Sequence, residues 1–512
     1  MIKKSLFATY FVQLYAALIN IILIPIYVQI LGVEQFGLIG FFILLQNIIM
    51  IFDVGISGSL SRQASITKHS ISEYKGFLKQ FTIIMSIFIV ISIIIFSFGY
   101  FNNEYIITKW INSNLEKNIL SVSVISMFMI LSFRYVSTPF RSGLIGLEKH
   151  VTLSKLNFIF ISLKFPGGLV ILNLFDNSII SYFIYQTFVS LSELLAMSFI
   201  FILSSKAIIK TTSKSFHALK TKITLKSLLV FSGQLSLLSV TWIIVTQIDK
   251  FILSSLLSLK DYAYYTLAIT ISGVILMFSA PLSQVLMSRL SVLYSHNNMQ
   301  DYVKLYTKAF SLMSIVMISL GTFIFVFSKS IIFMWTGDLS IANASFYYAK
   351  WLALGNTISI LMTFVFLLQY STNQLKKHVI VYLLYSLLLI PISIYIANKF
   401  YGEGTAIFWF VHNIIFFIIW GGIVNHKFIK GINSFLWLEI LTPTIIISFS
   451  IFYFIDVNVD LISMNQIKIG LILSAIGVIN ILVILSYLYI FKNRIVNKSN
   501  KLVFTNIGAI NE

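Results

Sequence analysis

The sequence predicts an all-helical protein that crosses a membrane about fourteen times, and three observations carry that expectation. Charged residues make up only 10% of its 512 positions and hydrophobic residues 58%, where soluble proteins carry about 25% charged. Apolar windows long enough to span a bilayer, about 20 residues each, recur along the whole chain. Basic residues gather in every second loop, which is the charge bias of cytoplasmic loops.

The windows fall near 6–31, 38–60, 81–101, 119–140, 156–175, 179–203, 227–257, 262–287, 309–335, 347–369, 379–398, 404–424, 438–456 and 469–491. Helices are expected because an open strand in lipid would leave its backbone groups unpaired, and the alternating ten-residue pattern of barrel strands is missing. The first window follows Lys3 and Lys4 and contains Gln13, Asn20 and Pro25. It is longer than the apolar region of a signal peptide and reads as a span. Spans five and six are joined by three residues, 176–178, and form a tight hairpin.

Charge sets the orientation. Of 36 Lys and Arg residues, 26 fall in the tails and loops on one side, 5 on the other, and 5 within or at the edges of spans. This places both termini in the cytoplasm, with an even number of spans. The net charge of +19 is therefore topological and argues against nucleic acid as a partner. There is no cysteine, which excludes disulfides and thiolate chemistry.

The chain also carries an internal repeat. Ser61-Arg62, Glu73-Tyr74-Lys75 and Lys79-Gln80-Phe81 match Ser288-Arg289, Asp301-Tyr302-Val303-Lys304 and Lys308-Ala309-Phe310. The expected organisation is a six-helix lobe over 1–203, a basic linker over 204–226, a second six-helix lobe over 227–424, and two further helices with a tail over 425–512. Six spans in each half give a parallel repeat, and transporters built that way bind substrate between halves and alternate access.

Pro25, Leu31-Gly32-Val33-Glu34-Gln35-Phe36-Gly37, Phe52-Asp53-Val54-Gly55-Ile56 and Ser61-Arg62, with Gln247-Ile248-Asp249-Lys250-Phe251-Ile252-Leu253 in the second half, resemble the polysaccharide flippases (Wzx-like) of the multidrug/oligosaccharidyl-lipid/polysaccharide exporter superfamily. The turn Leu259-Lys260-Asp261 departs from that pattern in lacking the glycine found at Gly32. The resemblance implies a V-shaped, two-lobed transporter. It would move an undecaprenyl-diphosphate-linked oligosaccharide from the cytoplasmic to the outer leaflet, coupled to an ion, with a polymerase and chain-length proteins as companions. Fourteen spans bring peptidoglycan-precursor flippases to mind as the alternative. A drug or cation exporter on the same fold would need acidic cavity residues.

An ionised side chain in lipid costs at least about 2.5–3.5 kcal/mol, so such groups face a cavity or a partner. The candidates within spans are Asp53, Arg134, Lys164, Glu193, Asp249, Lys250 and His412. Arg134, Lys164 and Lys250 are natural counter-charges for a diphosphate head group, unless they snorkel to the surface. Glu193 and Asp249 could exchange H+ or Na+, or neutralise a nearby base. Asp249 and Lys250 are consecutive and need not pair. Asp53 reads as a helix cap or the source of an inter-helix hydrogen bond. His412, taken as the single histidine outside the inner loops, could carry a proton. No nucleotide-binding loop is present. The expectation is a transporter without a cofactor, not an enzyme. Trp110, Trp335, Trp351 and Trp437 read as an interfacial belt.

Overall fold

The computed structural model describes residues 2–53, 56–211, 225–277 and 279–505. Most of the expected linker, 212–224, lies outside them. Among the described residues ten helices are long and apolar enough to cross a membrane, against the fourteen expected. Two of the ten are each a pair of helices meeting at a non-helical residue, Gly32 in one and Tyr401 in the other, and so hold two of the expected spans. Helix α1 (Ile2–Ile49) continues past a break at Gly32, whose φ is +74°. A side chain there would be strained while glycine is not, and this is where the first two spans were expected to part.

Unit 1 comprises residues 1–263. After α1 come α2 (Ile56–Thr67), α3 (Ile71–Phe101), α4 (Lys117–Gly146), α5 (His150–Lys164), α6 (Pro166–Leu174), α7 (Ile179–Thr211) and α8 (Leu225–Leu256). Helix α4 is the central post, packed on α2, α3 and α7. Small residues allow the close approach: a Cβ at Gly146 would strike the Ser61 carbonyl and Ala64. Ser92 and Ser132 each donate to the other's carbonyl, at 3.1 and 3.0 Å. Such small and hydroxylated residues join helices where water supplies no hydrophobic drive.

The expected loop near 102–118 is partly helical, with a π turn over Ile106–Trp110. At this end Glu34 Oε1 accepts from the Ser113 hydroxyl and the Asn114 amide, each at 2.8 Å. Trp110 Nε1 donates to Ser254 Oγ at 2.9 Å while its ring packs between Phe41 and Phe251. Trp110 is thus a packing residue as much as a belt residue. The turn lacking glycine is closed by a cap instead: the Asp261 amide donates to Ser258 Oγ at 3.1 Å, and that hydroxyl donates to Asp261 Oδ2 at 2.6 Å. This exchange satisfies the first turn of α9 (Leu259–Met277).

Unit 2 comprises residues 264–512. It contains the rest of α9, then α10 (Ser279–Ser295), α11 (Met299–Thr336), α12 (Leu339–Ser371), α13 (Leu375–Phe416), α14 (Gly422–Phe428), α15 (Thr442–Asn458), α16 (Gln466–Ile490) and α17 (Lys492–Asn500). Helix α13 bends at Tyr401, φ +50°, where the expected spans eleven and twelve meet. Helix α11 is the post here, against α12, α15 and α16. Phe327, Phe452, Ile469, Leu473 and Ile476 form its apolar seam. The opposite face of α16, including Leu471, Val478, Leu482 and Leu485, is exposed, as a lipid-facing helix requires.

The segment that follows α14 and the last described residues meet at one place in this unit. A short strand β1 (Ile429–Lys430) pairs antiparallel with β2 (Val503–Phe504), and Phe504 packs against Tyr294, Tyr302 and Phe428. Glu439, 1% exposed, receives Arg494 at 2.9 Å and also Lys498. The sequence reading singled out neither this carboxylate nor its partners.

A cationic cluster as the candidate functional site

The cluster grows from a break in a helix. Proline has no amide hydrogen and cannot continue the ladder, so α5 stops at Lys164 and α6 begins at Pro166. Side chains from neighbouring helices donate to the carbonyls around this break. Tyr27 Oη donates to the Phe165 oxygen at 2.7 Å, Tyr185 Oη to Leu163 at 3.0 Å, and Gln186 Nε2 to Lys164 at 2.6 Å. Three donors from two helices thus pin the backbone that carries the Lys164 side chain.

Lys164 Nζ donates to Glu193 Oε2 at 2.5 Å. The other oxygen of the same carboxylate, Oε1, receives Arg141 Nη2 at 3.1 Å. Arg134 lies two turns before Arg141 on α4 and donates through Nη1 to Gln46 Oε1 of α1. Its guanidinium carbon stands 5.4 Å from the centre of the Phe42 ring. Arg134 also lies within electrostatic reach of Glu193, Arg141 and Tyr182. Its Nε is buried and has no hydrogen-bond partner among the described atoms.

Two features of this arrangement matter chemically. Two cations, Lys164 and Arg141, share one carboxylate while Arg134 stands within its electrostatic reach, so among the described residues the cluster keeps a positive surplus. A guanidinium donor is also buried and unused, which is costly unless a ligand or water meets it. Both features suit an anion with several acceptor oxygens.

The structure brings together Arg134, Lys164 and Glu193, as their chemistry suggested, and adds Arg141, which the sequence reading placed in an inner loop. Arg141 follows Arg134 by seven residues on the same helix, so the spacing was a usable signal. Lys250 and Asp249 form a separate pair on α8, with Nζ 3.0 Å from Oδ1; Nζ also donates to the Thr246 carbonyl at 2.7 Å. Adjacent residues can therefore pair here, because the long lysine stem folds back along the helix. Helix α1 serves both sites: Gln46 holds Arg134, and Asn47 donates to Gln247 of α8 at 3.2 Å. The Asp53 side chain lies outside the described residues; its backbone closes a 3-10 turn.

His412 belongs to unit 2 and is buried on α13, bonded to Tyr385 at 2.6 Å. It is not the single histidine within a helix of membrane length. His378, expected in an inner loop, lies in the first turn of α13 and is 5% exposed. Among the described residues no group of three or more His, Asp or Glu could hold a metal ion.

Comparison with known proteins places the chain. Residues 2–293 match the family described as polysaccharide biosynthesis protein. No curated protein matches. Among solved structures, the lipid II flippase MurJ in its inward closed conformation superposes with a TM-score of 0.64 at 17% identity, covering 97% of this chain and 100% of that one. An inward-facing multidrug resistance MATE family transporter of the MOP superfamily gives 0.57 at 14% identity, covering 81% and 97%. A point mutant of the Vibrio cholerae MATE transporter VcmN gives 0.52 at 14% identity, covering 81% and 93%. The chain is a multi-pass membrane protein with the fold of these transporters, and it belongs to the polysaccharide biosynthesis protein family.

Proposed function

We propose that this protein is a flippase that carries an undecaprenyl-diphosphate-linked oligosaccharide from the cytoplasmic to the outer leaflet of the bacterial inner membrane, by ion-coupled alternating access. The observation that carries the reading is the Arg134–Arg141–Lys164 cluster, with its single carboxylate and its unused guanidinium donor. Diphosphate is the part of such a lipid common to every sugar unit, and a planar guanidinium matches it with two parallel hydrogen bonds. Membership of a polysaccharide biosynthesis family supports a sugar-bearing cargo. Glu193 then acts as the resting counter-charge that gives up its cations to the head group. The basic surplus counts against a drug or cation exporter.

A second reading has a specific observation in its favour. The superposition with a lipid II flippase runs over nearly the whole of both chains, and a peptidoglycan precursor presents the same diphosphate. Cells lacking this protein separate the two: accumulation of an unexported surface-polysaccharide unit supports the first, accumulation of a peptidoglycan precursor the second.

Each charge-assisted bond to diphosphate contributes about 1.5–3 kcal/mol, so losing one costs roughly tenfold or more in affinity. Arg134→Ala is expected to stop export of the sugar chain with normal protein in the membrane. Arg134→Lys restores part of it, because the charge remains and the fork is gone. Wild-type export from an Arg134→Gln/Lys164→Gln double variant would overturn the reading.

A further inference from the structure

Two buried histidines in α13 have opposite hydrogen-bond surroundings, and the contrast identifies what one of them can do. His378 Nδ1 faces two donors. Trp420 Nε1 points at it from 3.3 Å and Gln369 Nε2 from 3.0 Å. The indole N–H can only donate, so Nδ1 must be a bare acceptor and the ring proton sits on Nε2. Adding a proton at Nδ1 would set N–H against N–H. His378 is built to stay neutral.

His412 Nδ1 faces a group of the other kind. Tyr385 Oη lies 2.6 Å from Nδ1 and 3.1 Å from the backbone oxygen of His412 itself. A hydroxyl can donate one hydrogen and accept others. When Nδ1 is bare, the Tyr385 hydrogen points to it. When Nδ1 carries a proton, that N–H donates to the Tyr385 oxygen and the tyrosine hydrogen turns to the His412 carbonyl. Both states keep Nδ1 and the hydroxyl bonded, and the change between them needs only rotation about one C–O bond.

The surroundings also hold the ring in place. The Phe408 and Trp409 ring centres lie 5.0 and 5.1 Å from the imidazole centre, in tilted and edge-on arrangements that fix the plane of the ring. Tyr385 is itself held, stacked on Phe416 at 4.1 Å. Trp409 Nε1 is fixed by Asn356 Oδ1 at 3.0 Å, and Asn356 by the Ser272 carbonyl at 3.0 Å. The titratable groups on this face are Tyr382 and Tyr385 from the first half of α13, with His378 a further turn away; α12 contributes the amide of Asn356.

We propose that the His412 imidazole is a proton-binding group of unit 2, and that Tyr385 is the positioning residue whose rotating hydroxyl keeps Nδ1 bonded in both the neutral and the charged form. The imidazole gains one proton at its bare nitrogen; where that nitrogen is Nδ1, the Tyr385 hydrogen turns to the carbonyl as the proton arrives, and unloading reverses the change. The role of this proton as the coupling ion rests on the flippase reading; its chemistry does not.

The test is 15N-histidine NMR of the purified full-length protein in nanodiscs between pH 5 and 9, with no substrate added. One signal, removed by His412→Gln, should move from the neutral to the imidazolium pattern within this range. The His378 signal should remain in the neutral Nε2–H form throughout. Tyr385→Phe removes the acceptor of the charged form and should weaken proton binding at His412 about tenfold. A His412 signal that stays neutral across the range overturns the proposal in the wild-type protein alone, and so does titration of His378 in its place. An unshifted midpoint in Tyr385→Phe overturns the role of the tyrosine. Abolished export in Arg134→Ala beside a flat His412 signal would sink this inference only. A titrating His412 beside normal export in the Arg134/Lys164 double variant would sink the flippase reading only.

Discussion

Replacing Glu193 by Gln removes the one carboxylate that Lys164 and Arg141 share, at nearly constant shape. The two pairs differ in value. Lys164 and Glu193 are 17% and 6% exposed at 2.5 Å, and removing one partner of a buried pair costs about 3–5 kcal/mol, because the survivor is left charged and unpaired. Arg141 is 40% exposed. Its pair belongs with surface bridges, worth about 0–1 kcal/mol. Relief through the flexible lysine stem favours the lower end of the buried-pair range, so the loss should be about 3–4 kcal/mol. For a body of this size each kcal/mol lowers the midpoint by roughly 2 °C, giving a fall of about 6–8 °C in thermal unfolding of the purified protein. Lys164→Met in the same chain removes the stranded charge and should recover most of the loss, so the two substitutions should be strongly non-additive. The freed cations make a second signature. Millimolar pyrophosphate should raise the midpoint of Glu193→Gln more than that of the wild type, because a ligand stabilises in proportion to its affinity for the folded state. A midpoint within about 1 °C of wild type, or strictly additive effects, would refute the argument that Glu193 is the counter-charge holding this cluster.

Three further outcomes follow from other parts of the molecule. The protein has no native cysteine, so Asn112→Cys and Asn343→Cys should react with an impermeant thiol reagent in intact cells and Ser213→Cys should not; labelling at 213 would invert the topology. Deleting residues 492–512 strands the buried Glu439 and should lower the unfolding midpoint, and adding Glu439→Gln should restore part of it; no gain from Glu439→Gln would show that the ion pairs are incidental. Asp338 caps α12 by accepting from the Ser340 amide at 2.7 Å and the Ile341 amide at 3.3 Å, so Asp338→Ala should cost about 1 kcal/mol. The hydrogen bonds from Ser340 hold the Asp338 carboxyl below its usual range; its contribution is present above the unfolded pKa and should fade as the pH falls through the depressed one, so unchanged stability of the variant relative to wild type from about pH 7 to about pH 3 would contradict it.

The helical class and most element positions were legible because they follow from length and polarity. A run of about twenty apolar residues has few alternatives in lipid, and Gly32 marks a break by backbone chemistry that needs no tertiary information. The partings of spans at Gly32 and Tyr401 fall in the breaks between apolar windows, but the backbone that makes the second was not legible. At Tyr401 the chain turns with a positive φ on a residue other than glycine, a conformation that local propensity disfavours and surrounding structure must impose. The tail was misjudged for a related reason. Read locally, Lys492, Arg494 and Lys498 are ordinary inner-side charges; only the fold shows two of them reaching a glutamate more than fifty residues earlier.

The candidate site shows where sequence logic stops. Charge in an apolar span is visible in the sequence, and that sufficed to single out Arg134, Lys164 and Glu193 as candidates. What a charge does depends on its partner, and partners come from other helices. Arg141 and His378 were lost through one error: a residue beside a basic loop was assigned to the loop. Arg141 precedes the helix end at Ser142–Gly146, and His378 follows Lys376 and Lys377, so charge bias placed both on the surface. Helical spacing would have corrected it. Arg134 and Arg141 are two turns apart, and His378, Tyr382 and Tyr385 recur at intervals of four and three, the pattern of one helix face. A polar residue that keeps register with other polar residues across a membrane boundary belongs to the face, not to the loop. For His378 that rule gives burial, and the donor-only indole of Trp420 then determines its protonation; for His412 the hydroxyl of Tyr385 leaves the protonation open. The difference between an inert and a titrating histidine therefore lies in whether the atom opposite can only give a hydrogen or can also accept one, and no reading of either residue alone contains it.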